Sequence, residues 1–304
     1  MKTALIFGGN GYLGRNLAYA LKQSAVRVTC VGRGVSSEYF SEPGEYVQAD
    51  VTKLDDLKAL DFKVDYIFVF SGLTGTNNGF DIYEKFVQVN ELGLLNILNR
   101  IEGSGSQARV VFPSTRLVYK GVKDKPLSEN DEKEAKTVYA QNKLTCEGFL
   151  EMYRNYYGIE YTVYRVCVPY GNMVGDTYSY GTIGFFLKQA LEGKDITLFG
   201  DGSLRRTFTH VSDIFGLIVE SIDKQDSVNQ CFNVGGPDDL SLLQAATLVA
   251  DIYGVGVAFI DWPEAALKVE SGDTIFDGSR LEALASYQYQ NTLADWLQGL
   301  TADN

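Results

Sequence analysis

Tyr139 and Lys143 stand four positions apart in the stretch VYAQNK, residues 138–143. On a helix, residues i and i+4 share a face. The pair could therefore be a proton donor with the cation that tunes it. A free tyrosine has a pKa of about 10, and a nearby positive charge favours the phenolate. The same spacing is also common on helix surfaces, so the pair needs support from elsewhere in the chain.

The N-terminal segment supplies a second chemical feature. TALIFG (3–8) is a continuous apolar run, as expected for a strand covered on both faces. It leads into Gly8-Gly9-Asn10-Gly11-Tyr12-Leu13-Gly14, and Leu13, Leu17 and Leu21 then repeat at helical spacing. Glycine at 8, 11 and 14 suits a tight turn, close approach of a diphosphate to the backbone, and close helix–strand packing. The first helical amides, around Tyr12 and Leu13, and the helix dipole would hold the negative charge. Glycine-rich turns are common, but the first β-α turn of an alternating chain is the context this motif requires.

The end of the second strand bears on the cofactor. Many NAD sites place an acid there for the ribose hydroxyls. This chain reads CVGRG, with Gly32 at that point and Arg33 beside it. An arginine can pair with a 2′-phosphate. NADP is therefore favoured, with NAD possible if Arg33 is only solvated or stacks on adenine.

These features need a scaffold. Strand patterns occur at 26–31, 45–50, 65–70 and 109–114, with helical segments near 54–60, 82–101 and 136–157. The repeated β-α order predicts an α/β fold, a Rossmann-type doubly wound parallel sheet. Beyond about residue 170 the pattern loosens. DTYSYGTIG (176–184) reads as loop, 185–193 as a helix ending at glycine, and 241–254 as another. No repeat or flexible linker separates the parts. We expect residues 1–168 plus about 208–233 to hold the dinucleotide. Residues 169–207 plus about 234–304 would form a smaller, interwoven substrate lobe.

Composition narrows the function classes. The chain has 304 residues, 45% hydrophobic and 22% charged, which suits a globular protein. Its formal net charge of −12 opposes nucleic-acid binding and requires any anion pocket to be locally basic. No apolar run approaches the length of a membrane span, and the N-terminus reads as a strand, not a signal peptide. The four cysteines, Cys30, Cys146, Cys167 and Cys231, form no CxxC. No metal site is expected, and free thiols fit a cytoplasmic protein.

The co-linear motifs resemble the extended short-chain dehydrogenase/reductase family, in its nucleotide-sugar epimerase/dehydratase/reductase group. They are GGNGYLG, Asp50 in QAD, FSGLTG (70–75), VNELG (89–93), PSTRLVY (113–119), YAQNK (139–143), YRVCVPYG (164–171), GDGSLRRTFTHVSD (200–213) and FNVGG (232–236). The resemblance spans nearly the whole chain. It implies cofactor contacts from Asp50, Phe70, Ser71, Gly72 and Asn90, with Lys143 on the nicotinamide ribose. It implies that Tyr139 moves the proton on a sugar hydroxyl or carbonyl. Thr115 would hydrogen-bond the reacting oxygen, and Ser114 beside it would face the other way as a structural residue. Thr74 and Arg206 are implied substrate contacts, Arg206 for the diphosphate. With Lys143, Arg206 would be the local positive charge that an acidic chain requires.

Relatives that eliminate water carry an Asp-Glu pair directly after the threonine. Here the positions hold Arg116 and Leu117, and neither shuttles a proton near neutral pH. This argues against a 4,6-dehydratase. A reductase of a nucleotide-linked 4-keto sugar is expected on the strength of Arg33, with a 4-epimerase as the alternative. A non-catalytic dinucleotide sensor is a third class, opposed by the presence of Thr115, Tyr139 and Lys143 together. Val168 stands where the family often has an asparagine for substrate. His210, Tyr119, Trp262 and Trp296 read as packing residues, and Arg205 as exposed. Tyr153, Tyr156 and Tyr157 could pack in the four-helix interface of the homodimer that the resemblance implies.

Overall fold

The structure, a computed structural model, describes residues 1–76, 78–175 and 181–302, without the side chains of 301 and 302. Its first five strands are β1 (Thr3–Phe7), β2 (Arg27–Gly32), β3 (Tyr46–Gln48), β4 (Tyr66–Val69) and β5 (Arg109–Thr115). They join Tyr161–Val166 and Gln230–Val234 in a seven-stranded sheet. The spatial order is Gln230–Val234, Tyr161–Val166, β5, β4, β1, β2, β3. Every neighbouring pair is parallel, which is the Rossmann-type doubly wound arrangement expected from the β-α order.

The apolar runs become strands because both faces of the sheet are covered. Ile6, Phe68 and Val111 pack on one side against Leu17, Leu21 and the helix Val211–Ile222. Phe7, Ile67 and Val110 pack on the other, against Leu94, Ile97 and Ile101. A third apolar cluster lies around Val168, Phe186, Leu198, Phe208 and Val249. It also takes in Val118, Tyr119 and Leu127, so segments from both halves of the chain build it.

Two boundaries differ from expectation. The helical pattern over 82–101 is interrupted by a π-helical turn, Val87–Leu92, before Gly93–Ser104. Such turns interrupt otherwise regular helices, often at functional sites, and this one contains Asn90. The helix expected from 185 begins earlier, as Gly181–Leu191. Its buried Ile183, Phe186, Leu187 and Ala190 form a helical stripe that outweighs the weak propensity of glycine. The rest of the expected loop, 176–180, lies outside the described residues.

β1 and β4 are neighbours, yet the chain visits β2 and β3 between them. The winding direction reverses there, and such a switch point opens a crevice at the C-terminal strand ends. Both the glycine turn and the Phe70–Gly75 loop leave the sheet at this crevice.

Candidate active site

The glycine turn is sterically committed. Gly8 has φ +84°, and a Cβ there would lie 2.6 Å from Ser71 N. A Cβ on Gly14 would lie 2.2 Å from Gly8 O, because the helix α1 (Tyr12–Gln23) rests directly on the turn. Gly11, the N-cap of α1, differs: it has ordinary extended dihedrals, and its Cβ would meet only Gly8 O, at 3.1 Å. Internal packing therefore asks less for glycine at 11 than at 8 and 14. Among the described residues no side chain caps α1, and its first turn holds no acid, so the helix end suits an anion. These features fit the diphosphate of a dinucleotide.

The surrounding residues form one rim. Leu73 N donates to Asn90 Oδ1 at 2.7 Å, and Asn90 Nδ2 donates to Leu73 O at 3.0 Å. The buried Asn90 thus pins the Phe70–Gly75 loop. Asp50 accepts hydrogen bonds from Thr52 N and Thr52 Oγ1. Burial pushes the Asp50 carboxyl up, but these bonds and the charge of Arg33 outweigh it and hold it below its ordinary value. Arg33 is exposed just past β2. At Gly32 a Cβ would lie 2.8 Å from the Tyr46 hydroxyl, which donates to Gly34 O. A side chain at 32 would have to shift the far end of Tyr46 and disturb its bond to Gly34 O. Asn10 was not singled out from the sequence: it accepts from Ser37 Oγ and donates to Ser36 O, clasping the loop after β2 to the glycine turn.

Beyond this rim lies a cavity of about 950 Å³. Leu13, Thr74, Thr115, Tyr139 and Arg206 all border it, so residues from five separate motifs converge. Thr115 ends β5, where its hydroxyl accepts from Leu117 N at 3.3 Å. Tyr139 lies in the first turn of the helix Val138–Tyr157, whose N-cap Thr137 accepts from Ala140 N. Lys143 Nζ lies 5.9 Å from the Tyr139 ring centroid. It donates to Pro113 O at 2.7 Å and sits over the Phe112 ring at 4.2 Å. Burial pushes its ammonium down to about 8.

Lys143 is not among the residues lining this cavity; its ammonium meets the Pro113 carbonyl at the end of β5. Several other expectations need correction. Arg116 borders the cavity and joins Arg206 there. Ser114, expected to face away as a structural residue, also borders it, and its buried hydroxyl meets no partner among the described residues. Trp262 lines the cavity as well as packing on Phe199. Arg205 is half-buried, with Nη2 donating to Asp239 O at 2.9 Å. Arg206 is almost fully buried and paired with Glu270 at 2.6 Å. Val168, in place of the usual asparagine, lines the cavity with an apolar surface.

Other residues pack as expected. Tyr119 donates to Asn233 Oδ1 at 2.6 Å and accepts from Arg165 at 2.7 Å. Trp296 packs against Tyr170 and His210. His210 Nδ1 caps the helix Val211–Ile222, and burial pushes the imidazole down to about 4, so it stays neutral near pH 7. No helix among the described residues is long and apolar enough to cross a membrane.

Known proteins resemble this chain in sequence or in fold. The uncharacterized UDP-glucose epimerase YtcB of Bacillus subtilis is 29% identical over 245 residues, covering 80% of this chain and 75% of that protein. The UDP-glucose 4-epimerase of Thermotoga maritima, solved with UDP-glucose, has a similar fold, with TM-score 0.85 and 20% identity over 99% of each chain. So does the UDP-glucuronic acid 4-epimerase of Bacillus cereus, solved with UDP-glucuronic acid and NAD, with TM-score 0.82 and 21% identity over 97% of this chain and 96% of that one. The family model described as the NAD dependent epimerase/dehydratase family matches residues 4–235, from β1 past the last strand of the large sheet. This chain therefore belongs to the NAD dependent epimerase/dehydratase family of enzymes, within the extended short-chain dehydrogenase/reductase group.

Proposed function

We propose that this protein is an NAD(P)-dependent enzyme that oxidises or reduces a ring carbon, C4, of a nucleotide-diphosphate sugar. The observation that carries this reading is the meeting of Thr115 and Tyr139 on one cavity wall, with Lys143 one turn behind Tyr139. When bound, the dinucleotide supplies or takes the hydride. Tyr139 gives or takes the proton on the sugar oxygen, and Thr115 Oγ1 holds that oxygen by a hydrogen bond. Lys143 favours the phenolate by its charge and holds the nicotinamide ribose. Gly8, Gly11, Tyr12, Leu13 and Gly14 cradle the diphosphate, and Arg33, Asp50, Phe70, Ser71, Gly72 and Asn90 frame the remaining cofactor. Thr74 and Arg206 face the substrate. In this reading residues 1–168 with about 208–233 carry the dinucleotide, and 169–207 with about 234–304 carry the sugar.

The 4-epimerase form of this chemistry fits the relatives, whose names include UDP-sugar 4-epimerases and an NAD complex. The 4-keto sugar reductase with NADPH is a second reading, favoured by the exposed Arg33 and by a glycine, not an acid, at 32. Arg116 and Leu117 speak against the dehydratase. Purification without added cofactor, followed by denaturation, separates the first two. NAD released at near one per chain is the outcome for the epimerase. An empty site that prefers NADPH to NADH is the outcome for the reductase. Arg33→Ala should weaken NADPH by about tenfold and NADH by much less. Equal losses in a titration would show that Arg33 does not read the 2′-phosphate.

We also infer a homodimer. Tyr83, Val87, Met152 and Tyr156 expose apolar surface on neighbouring helical segments, Tyr156 at 80%, as a paired-helix interface requires. A monomer mass by light scattering would remove this inference.

A further inference from the structure

Arg116 lines the cavity immediately after Thr115, with their Cα atoms about 3.8 Å apart. Its Nη1 reaches only neutral hydroxyls, Ser271 Oγ at 3.2 Å and Thr274 Oγ1 at 3.4 Å. Among the described residues its Nε and Nη2 make no hydrogen bond, and it has no carboxylate within ion-pair distance. Arg206 is different. Its Nη2 is met by Glu270 at 2.6 Å, and its Nη1 donates to Gly272 O and Arg205 O. The charge of Arg206 is thus met by a hydrogen-bonded carboxylate, whereas among the described residues Arg116 feels Glu270 only at a distance and pairs with no carboxylate. Burial and repulsion by Arg206 push the Arg116 guanidinium down to about 10, still charged near pH 7.

A half-buried cation with free donors and a like charge nearby costs stability unless an anion arrives. Arg116, Arg206 and Glu270 together carry one net positive charge in a chain of net −12. The cavity wall is therefore basic where the chain as a whole is not.

We propose that Arg116 is a specificity-determining residue that binds a carboxylate on the substrate's sugar, so that this enzyme acts on an acidic nucleotide sugar. The inference rests on the nucleotide-sugar reading above. In that reading Thr115, the residue before Arg116, holds the reacting sugar oxygen and Arg206 takes the diphosphate, so the sugar is the part of the substrate left for the Arg116 guanidinium, which lies beside Ser271 and Thr274. The planar guanidinium suits a carboxylate through paired hydrogen bonds.

The test titrates UDP-glucuronic acid, UDP-glucose and UDP into the cofactor-loaded, full-length protein by calorimetry. Wild type should bind UDP-glucuronic acid about 10- to 100-fold more tightly than UDP-glucose. Arg116→Met should bring the two within about twofold of each other while UDP affinity holds. Arg116→Gln, which keeps polar contact with Ser271 and Thr274, should behave alike and guards against misfolding. Equal affinity of wild type for the two sugars overturns the proposal and leaves the nucleotide-sugar reading standing. Loss of UDP affinity in folded variants, in step with that of the sugars, would place Arg116 on the diphosphate and also overturn it. Failure of wild type to bind UDP, dTDP, GDP or CDP overturns the nucleotide-sugar reading, and this proposal with it.

Discussion

Tyr139→Phe is expected to lower turnover by about 10²- to 10⁴-fold, the range that a positioned acid or base contributes. Dinucleotide binding should change little. The substitution removes one oxygen from a side chain in the first turn of the helix Val138–Tyr157 and leaves its packing ring in place. The helix start is fixed independently by the Thr137 cap on Ala140 N at 3.0 Å. The cofactor cradle lies on another element, the turn between β1 and α1. A large fall in turnover with unaltered NAD or NADP affinity therefore isolates the proton-transfer role. Turnover equal to wild type would take Tyr139 out of the mechanism. Wild type that binds dinucleotide yet converts none of the nucleotide sugars it binds would favour the sensor class.

Lys143→Met is expected to lower turnover by about 100-fold or more and to raise thermal stability at pH 7 by a few degrees. The two effects have one cause. Lys143 is 7% exposed, and its ammonium has a carbonyl and an aromatic face as partners, with no carboxylate in ion-pair contact among the described residues. Burial therefore disfavours its charged form and pushes its pKa down from 10.5 to about 8. Below pH 8 the lysine is charged in both folded and unfolded chains, and the fold bears the full cost of burying that charge. Between pH 8 and 10.5 the unfolded chain binds the extra proton, so wild-type stability gains from this group as pH rises. The gap between variant and wild type should be widest below pH 8 and close towards pH 10.5. A gap that stays constant from pH 7 to pH 9.5 would show that Lys143 is not the group responsible. The same titration should make wild-type kcat/KM fall above about pH 8, as Lys143 loses the charge that favours the phenolate.

The elements that carry the site are legible because their signals are local. β1 is a run of apolar residues flanked by glycine, and α1 follows with leucines at helical spacing. Gly14 is demanded by a contact with Gly8 O, within seven residues of chain, and Gly8 by its left-handed φ of +84°, so this part of the turn is a local matter; the close approach of Ser71 to Gly8 is not. Tyr139 and Lys143 are one helical turn apart, and any helix there brings them to one face. The order of strands and helices points to a parallel sheet, because parallel neighbours need crossovers.

What the tertiary structure alone decided involves residues far apart in the chain. The need for glycine at position 9 comes from Cys30, whose Cβ would lie 2.4 Å from an added Cβ. Asn90 reads as a cofactor contact in the motif, and the fold shows it tying Leu73 to a π-helical turn. Arg116 appears in the sequence only as the absence of an acid. It becomes a basic feature of the cavity when Arg206 and the segment Glu270–Thr274 fold beside it. Glu270 carries no motif, yet it answers the charge of Arg206 and leaves Arg116 with free donors. The sequence by itself determined the β-α order, the glycine turn at the first of those junctions and the Tyr139–Lys143 pair, since each follows from backbone periodicity and turn geometry acting over a few residues. The charge of the substrate cavity was decided by the tertiary structure, because electrostatic partners are chosen by distance in space and not by distance along the chain.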